Sequence, residues 1–346
     1  MLSDFINVQK IKYVNQVITE LPDINLDDLC ANNNITMRII LQNPDKKWNY
    51  KYLMANHNIT WNIMQNYKDL NWDMVSRNPN ITWDIIKDNL DKPWNWVYIS
   101  ANKNITWDIV VKNLSAPWDW FGISQNPNIT WDIIENNIDK PWDWMALSGH
   151  PNITLDIIEN NSNKEWDWVM VCYNQNLKWI NVCKNYNKCL SWHAISAHKN
   201  ITWDIISNNF SAPWDWYGLS CNPNITWDIV KNNISAPWIW ENLSSNKSIT
   251  WDIVKNNLAA PWDWKYLSMN KNISWDIISK NPSAPWNYNF IKHNSGLFSY
   301  PQELLYKDIK KYFAAKIIYK YWFRANTNPE YVICRKRLKA ELNELL

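Results

Sequence analysis

The sequence predicts an all-α protein, an α-solenoid of about eleven 24-residue two-helix repeats with an N-terminal capping helix and a C-terminal helical cap. Three observations lead to this class. Trp83, Trp107, Trp131, Trp203, Trp227, Trp251 and Trp275 stand at multiples of 24 residues, and Leu155 and Trp179 fill the two intermediate steps. Residues that start and stop helices recur at fixed places in unit after unit. Period-two alternation is absent from phrases such as Trp-Asp-Ile-Ile, which removes the strand reading that Trp, Ile and Thr would otherwise favour. The Trp-Asp pairs are also too closely spaced for a propeller, whose four-stranded blade needs about 40 residues.

One unit, from Thr106 to Asn126, justifies each element. Thr106 is suited to an N-cap and Asp108 to the positive end of a helix dipole, while Trp107, Ile109, Val110 and Leu114 give the spacing of an amphipathic helix. Asn113 stands where that helix stops, and Asn recurs there as Asn89, Asn137, Asn161, Asn209, Asn233 and Asn257. Asn tolerates the left-handed conformation of a helix C-terminus, and with only 4 Gly in the chain it is expected to do the stopping. Pro117 is expected at the first position of a second helix. That helix carries Trp118, Asp119, Trp120 and Ile123, with the small Ser124 allowing close approach of a neighbour, and ends at Asn126-Pro127. Each unit is expected to hold two helices of about eight residues joined by turns of about four. Such short helices cannot bury enough surface alone, so units must stabilise one another by stacking, and the 28 Trp supply the large apolar areas this requires.

In chain order, residues 1–21 form the capping helix, whose Phe5, Ile6, Ile11, Val14 and Ile18 are expected to cover the first repeat. The array spans 22–294. A degenerate half-unit runs from Pro22 through Leu26 and Leu29 to Asn32, and the next unit starts at Thr36-Met37 and carries Trp48 and Tyr50. The unit at Trp61 is 22 residues long; placing the deletion in its inter-helix turn aligns Trp72 with Trp96 and Trp120. Residues 84–161 are regular. The units at Leu155 and Trp179 then drift, with Glu165 and Cys189 in place of Pro, Leu190 in place of Trp and Ile180 in place of Asp. Regular units resume at Trp203. The basic segment 295–346 predicts two helices, over 302–324 with Ile309, Tyr312, Phe313, Ile317 and Tyr321 near helical spacing, and over 330–345. Residues 301–346 hold ten Lys/Arg and five Asp/Glu, a balance of +5, which leaves −3 for the rest against the total of +2.

The Asn-Ile-Thr-Trp-Asp-Ile-Ile and Ala-Pro-Trp-Asp-Trp phrases run through the array. With Ala314-Ala315-Lys316-Ile317-Ile318, Asn328-Pro329-Glu330-Tyr331 and Cys334-Arg335-Lys336-Arg337-Leu338, they give the chain a resemblance to the Trp-rich repeat proteins of mimivirus-type giant viruses. The resemblance implies a viral or host-cytoplasm setting and names no activity. No apolar run at the N-terminus is long enough for a signal peptide or a membrane span, so a cytoplasmic location, in the host or in the virion, and no membrane partner are expected. The Asn-x-Ser/Thr sequons at Asn104, Asn128, Asn152 and Asn200 are then by-products of the helix cap, and the six Cys are expected to remain thiols.

The chemistry-bearing residues point away from catalysis and cofactors. Cys183, Cys189, His193 and His198 match no common zinc spacing, and Cys172, Cys189, His150 and His198 are single exchanges at Ser, Pro and Asn positions of the repeat, so no metal is expected. The Asp residues are spread one per helix start instead of converging, so no enzyme and no cofactor are expected. An acidic array with its Trp at core spacing argues against nucleic acid, although helical repeats can read RNA. Pro301-Gln302-Glu303-Leu304 resembles the start of an F-box, which would imply a ubiquitin-ligase substrate adaptor, but Asp308 stands where an apolar residue is expected.

The sequence therefore predicts a non-enzymatic protein-protein interaction scaffold with a host or viral protein partner. One residue past the second Trp, and again four on, a variable and often apolar stripe runs along the array outside the core set. Val97, Phe121, Met145, Val169, Tyr173, Tyr217 and Met269 are its partner-binding candidates, expected on the concave side. His193, Glu241 and Lys265 share the register and speak against a stripe buried between units.

Overall fold

A computed structural model describes residues 2–21, 30, 32, 34–291, 293–294, 296–328 and 330–345. Apart from Cys30 and Asn32, the expected half-unit lies outside the described residues. Every described element is a helix, and none is long and apolar enough to cross a membrane. The chain divides into two compact units, Asp23–Leu297 and the pair Met1–Pro22 with Phe298–Leu346.

The first of these is the helical solenoid. Its helices alternate as expected, for example Trp107–Lys112, Trp120–Gln125, Trp131–Glu135 and Trp144–Ser148. They are shorter than the expected eight residues, at four to six, because the intervening segments are held by side-chain bonds instead of by more helix. Trp72 meets Trp94 edge-on at 4.9 Å as Trp96 meets Trp118 at 5.3 Å, which is the alignment expected for the short unit.

Several local expectations need correction. Asn113 is not left-handed: its φ is −131° and its ψ 47°. It ends the helix with its side chain, Nδ2 donating to the Ile109 carbonyl at 2.7 Å, while its own carbonyl accepts the Trp118 indole N–H at 2.8 Å. Thr106 occupies the N-cap, but its hydroxyl makes no cap bond; the Asp119 carboxylate does cap the second helix, accepting from the Gly122 N–H at 2.7 Å. Pro117 lies before that cap, not at the first helical position. The Trp118 N–H donates across it to the Ala116 carbonyl at 2.8 Å, an i to i+2 bond of the inverse γ-turn type, for which the fixed φ of proline is suited. Asn126 is extended, with φ −68° and ψ 126°, as the following Pro requires.

Between units, three contacts repeat. Trp142 is gripped by the two Trp of the unit before it, 5.6 Å from Trp107 and 5.2 Å from Trp120 at an interplanar angle of 89°, an edge-to-face geometry that suits the charge distribution of aromatic rings. The buried Ser124 hydroxyl accepts the Asp143 N–H at 2.9 Å, so the small residue anchors the neighbouring cap as well as admitting it. Successive second helices touch so closely at Gly122 that a Cβ there would overlap the Val97 carbonyl, and Gly218 meets His193 in the same way. Ile99, Val110, Ile123, Ile129 and Ile134 complete the core.

In the other compact unit, Leu2–Glu20 packs with Gln302–Thr327 through Phe5 on Tyr312, and Tyr13 meets Tyr300 just before that helix, each pair 5.5 Å apart. The helix at the C-terminal end is Val332–Leu345. Both C-terminal helices were expected, with slightly different ends.

Candidate interaction surface

The register of the second helix decides what the stripe does. Gly122, Ile123 and Ser124 turn inward and are buried, which leaves the residue before them facing solvent. Phe121, Met145, Val169 and Tyr217 accordingly stand 41–54% exposed, and Tyr173, four residues past Val169, is 55% exposed. Val97, in the register of Phe121, and Met269, in that of Tyr173, are half-buried. The charged members sit among them without strain: the His193 ring lies 5.4 Å from Tyr217 with its Nδ1 3.4 Å from an Asp215 carboxylate oxygen, and the Lys265 ammonium lies 4.5 Å from the Phe290 ring.

A second exposed row went unread in the sequence. Leu114 fits the helical spacing of the first helix, yet it lies just past the Asn that ends that helix and is 68% exposed. Leu90, Ile138, Tyr186, Phe210, Ile234 and Leu258 repeat it, each one residue beyond its Asn and each largely in solvent. Phe210 lies 6.4 Å from both Trp203 and Trp216, so the row flanks the half-exposed Trp rings. Its signal was the Asn itself, since a residue after a helix stop no longer belongs to the helix face. Ser162 breaks the row.

The largest feature missed from sequence is a polar ladder. The buried Asn126 amide donates to the carbonyls of Ser100, Asn102 and Ile105 of the preceding unit at 2.8–3.0 Å, and its Oδ1 accepts the Asn128 N–H at 2.9 Å. Asn78, Asn174, Asn222, Asn270 and Asn294 repeat the arrangement. The Asn128 amide adds bonds to the carbonyls of Lys103 and Ile105, as do Asn104, Asn152 and Asn200 at their own sites. The sequon Asn residues are thus structural bridges between units.

The His and Cys exchanges fit the same frame. The Nε2 of His150 pairs with the Asn126 carbonyl at 3.1 Å and its Nδ1 accepts the Asn152 N–H at 3.1 Å; His198 does the same between Asn174 and Asn200. Both rings must be neutral to do this, and burial holds their pKa values below the ordinary 6.5. Cys172 takes the place of Ser in accepting the next cap, the Ser191 N–H, at 3.3 Å, and burial raises its pKa. Cys183 and Cys189 are exposed, and no cluster of three metal-ligating side chains forms among the described residues.

In the C-terminal segment the residue at the F-box-mismatched position is buried. Asp308 accepts a hydrogen bond from the Tyr300 hydroxyl, and burial, followed by this carboxylate, pushes the Tyr300 pKa up. Of the residues expected on one apolar face, Ile309 and Tyr312 are half-buried, whereas Phe313, Ile317 and Tyr321 are exposed together with Trp322 and Phe323. No known protein family, curated protein or solved structure matches the chain.

Proposed function

We propose that the repeat array is a non-enzymatic scaffold that binds another protein along the solvent face of its second helices. One observation carries this reading: Phe121, Met145, Val169 and Tyr217 stand in solvent in the same register, with Tyr173 exposed four residues past Val169, although the core is complete without them. Apolar side chains of this size grouped in a row, instead of scattered singly, are what partner surfaces present. Their identity changes from unit to unit, which suits recognition of one partner along its length. Val97 and Met269 would lend half-buried support. Asp119, Asp143, Asp167, Asp215 and Asp263 serve as helix caps, and most of the other repeat Asp residues are spread one per first helix, which supports the absence of catalysis. The resemblance to Trp-rich repeat proteins of giant viruses supports a partner of the host cytoplasm or the virion.

The test is quantitative affinity purification with the full chain and with Phe121→Ser plus Tyr217→Ser. A discrete partner recovered about tenfold less by a variant of unchanged melting temperature supports the reading; undiminished recovery removes it. The adaptor alternative has its own support in the uncovered Phe313, Ile317, Trp322 and Phe323 of the C-terminal helix. Trp322→Ser with Phe323→Ser should then cost the chain its ubiquitin-ligase subunits and leave the other partner in place.

A further inference from the structure

The divergent units contain a cavity at a place that regular units fill. It measures about 250 Å³ and is bordered by Trp166, Trp168, Lys164, Lys184 and Lys188, with Ile158 among its apolar walls. One exchange lies on its wall, and a second strips Trp168, another wall residue, of a neighbouring ring. Leu190 stands where Trp142, Trp214 and Trp238 meet the second Trp of the preceding unit edge-on, so Trp168 has no such ring beside it among the described residues. Ser162, on the cavity wall, stands where Leu114, Ile138 and Ile234 carry a large side chain.

The same region also gathers uncompensated positive charge. In regular units a Lys at the position of Lys164 is neutralised by the residue before it, as in Lys92 with Asp91 at 2.7 Å and Lys140 with Asp139 at 2.9 Å. Asn163 and Asn187 replace those aspartates, and neither Lys164 nor Lys188 has a carboxylate at ion-pair distance among the described residues. Their ammonium groups lie instead near indole faces, Lys164 5.5 Å from Trp144 and Lys188 5.6 Å from Trp168. The one carboxylate on the wall, Glu159, is already engaged by Asn181 and Lys184, each at 3.1 Å.

We infer that this cavity is a binding site for a small aromatic anion, a planar ring bearing a phosphate or carboxylate group. The ring packs on Trp168 in the cavity, where aromatic packing is favourable, and the anionic group meets Lys164 and Lys188. Neither half suffices. An anion without a ring gains little from solvated lysines, and a neutral ring leaves both ammonium groups unpaired. The volume admits one ring with its substituent.

Calorimetric titration of the full chain with phenyl phosphate, inorganic phosphate and phenol tests the site. Phenyl phosphate should bind at one site per chain, about tenfold more tightly than either fragment. Leu190→Trp with Ser162→Ile restores the regular side chains; it should abolish binding and raise the melting temperature, so that lost binding is not lost folding. Lys164→Gln with Lys188→Gln should weaken phenyl phosphate about tenfold at unchanged melting temperature and leave phenol unaffected. Absence of saturable phenyl phosphate binding, or full binding by the refilled variant, overturns the proposal. Equal affinity for inorganic phosphate overturns the role of the ring.

Discussion

The unit at Trp107 and the divergent unit at Leu155 have the same backbone and different fillings. In the first, Trp107 and Trp120 enclose Trp142. In the second, Leu155 and Leu190 replace two Trp of the corresponding cluster, and Ser162 and Glu165 replace Leu114 and Pro117 of the repeat. The hydrogen bonds nevertheless persist: Asn161 to the Ile157 carbonyl at 2.9 Å, the Leu190 N–H to the Lys188 carbonyl at 2.9 Å, and the Asn174 amide to three carbonyls of the preceding unit. The Asn frame therefore sets the repeat geometry, and the Trp fill the spaces that the frame defines.

The strongest way to break this comparison is to empty a regular cluster. Trp142→Ala removes ring contacts on two sides and the indole bond to the Asn137 carbonyl, and should cost about 3–5 kcal/mol in urea denaturation. Leu190→Ala, at a half-buried side chain smaller than the Trp it replaces, should cost about 1 kcal/mol. Equal losses would mean that the divergent cluster is as tightly packed as the regular one.

Removing a rung tests the frame itself. Asn222→Ala removes the bonds to the carbonyls of Ser196, His198 and Ile201 and the acceptor of the Asn224 N–H, and should cost about 3 kcal/mol. Asn222→His, the exchange that His150 and His198 already embody, should cost less than about 1 kcal/mol at neutral pH. If both variants lose the same stability, the ladder is not what holds the units in register.

Acid should separate the His rungs from the Asn rungs. With folded pKa values depressed below 6.5, the unfolded chain binds these protons first. The stability they secure is therefore complete above about pH 6.5 and is lost as pH falls through the depressed folded values. Thermal melts of the chain against His150→Asn with His198→Asn should converge at neutral pH and diverge in acid, the parent melting lower. Parallel pH profiles would show that the rings tolerate protonation in place.

The smallest effect is expected on the solvated face of the first helices. Glu135→Ala should change stability by less than about 0.5 kcal/mol, because the side chain is exposed and forms no ion pair among the described residues. A loss comparable to that of Trp142→Ala would place the wrong face in solvent.

The sequence by itself determined the period, the alternation of two helices, the inward faces at Val110 and Ile123, and the outward register of Phe121, Met145 and Tyr217. These follow from local spacing and from residues whose backbone preferences act within a few positions. It also located the divergent units, since a missing Trp is visible in an alignment of repeats. Only the tertiary structure decided that Asn126 and Asn128 bridge units, because their acceptors lie 21–26 residues away and a main-chain carbonyl leaves no mark on the residue type that carries it. The same holds for Leu114, whose spacing matched the core until the Asn113 side chain closed the helix before it. Ser162 and Lys188 come from separate segments, and only stacked units bring them to one cavity wall: closure in space, unlike periodicity, is not a local property of the chain.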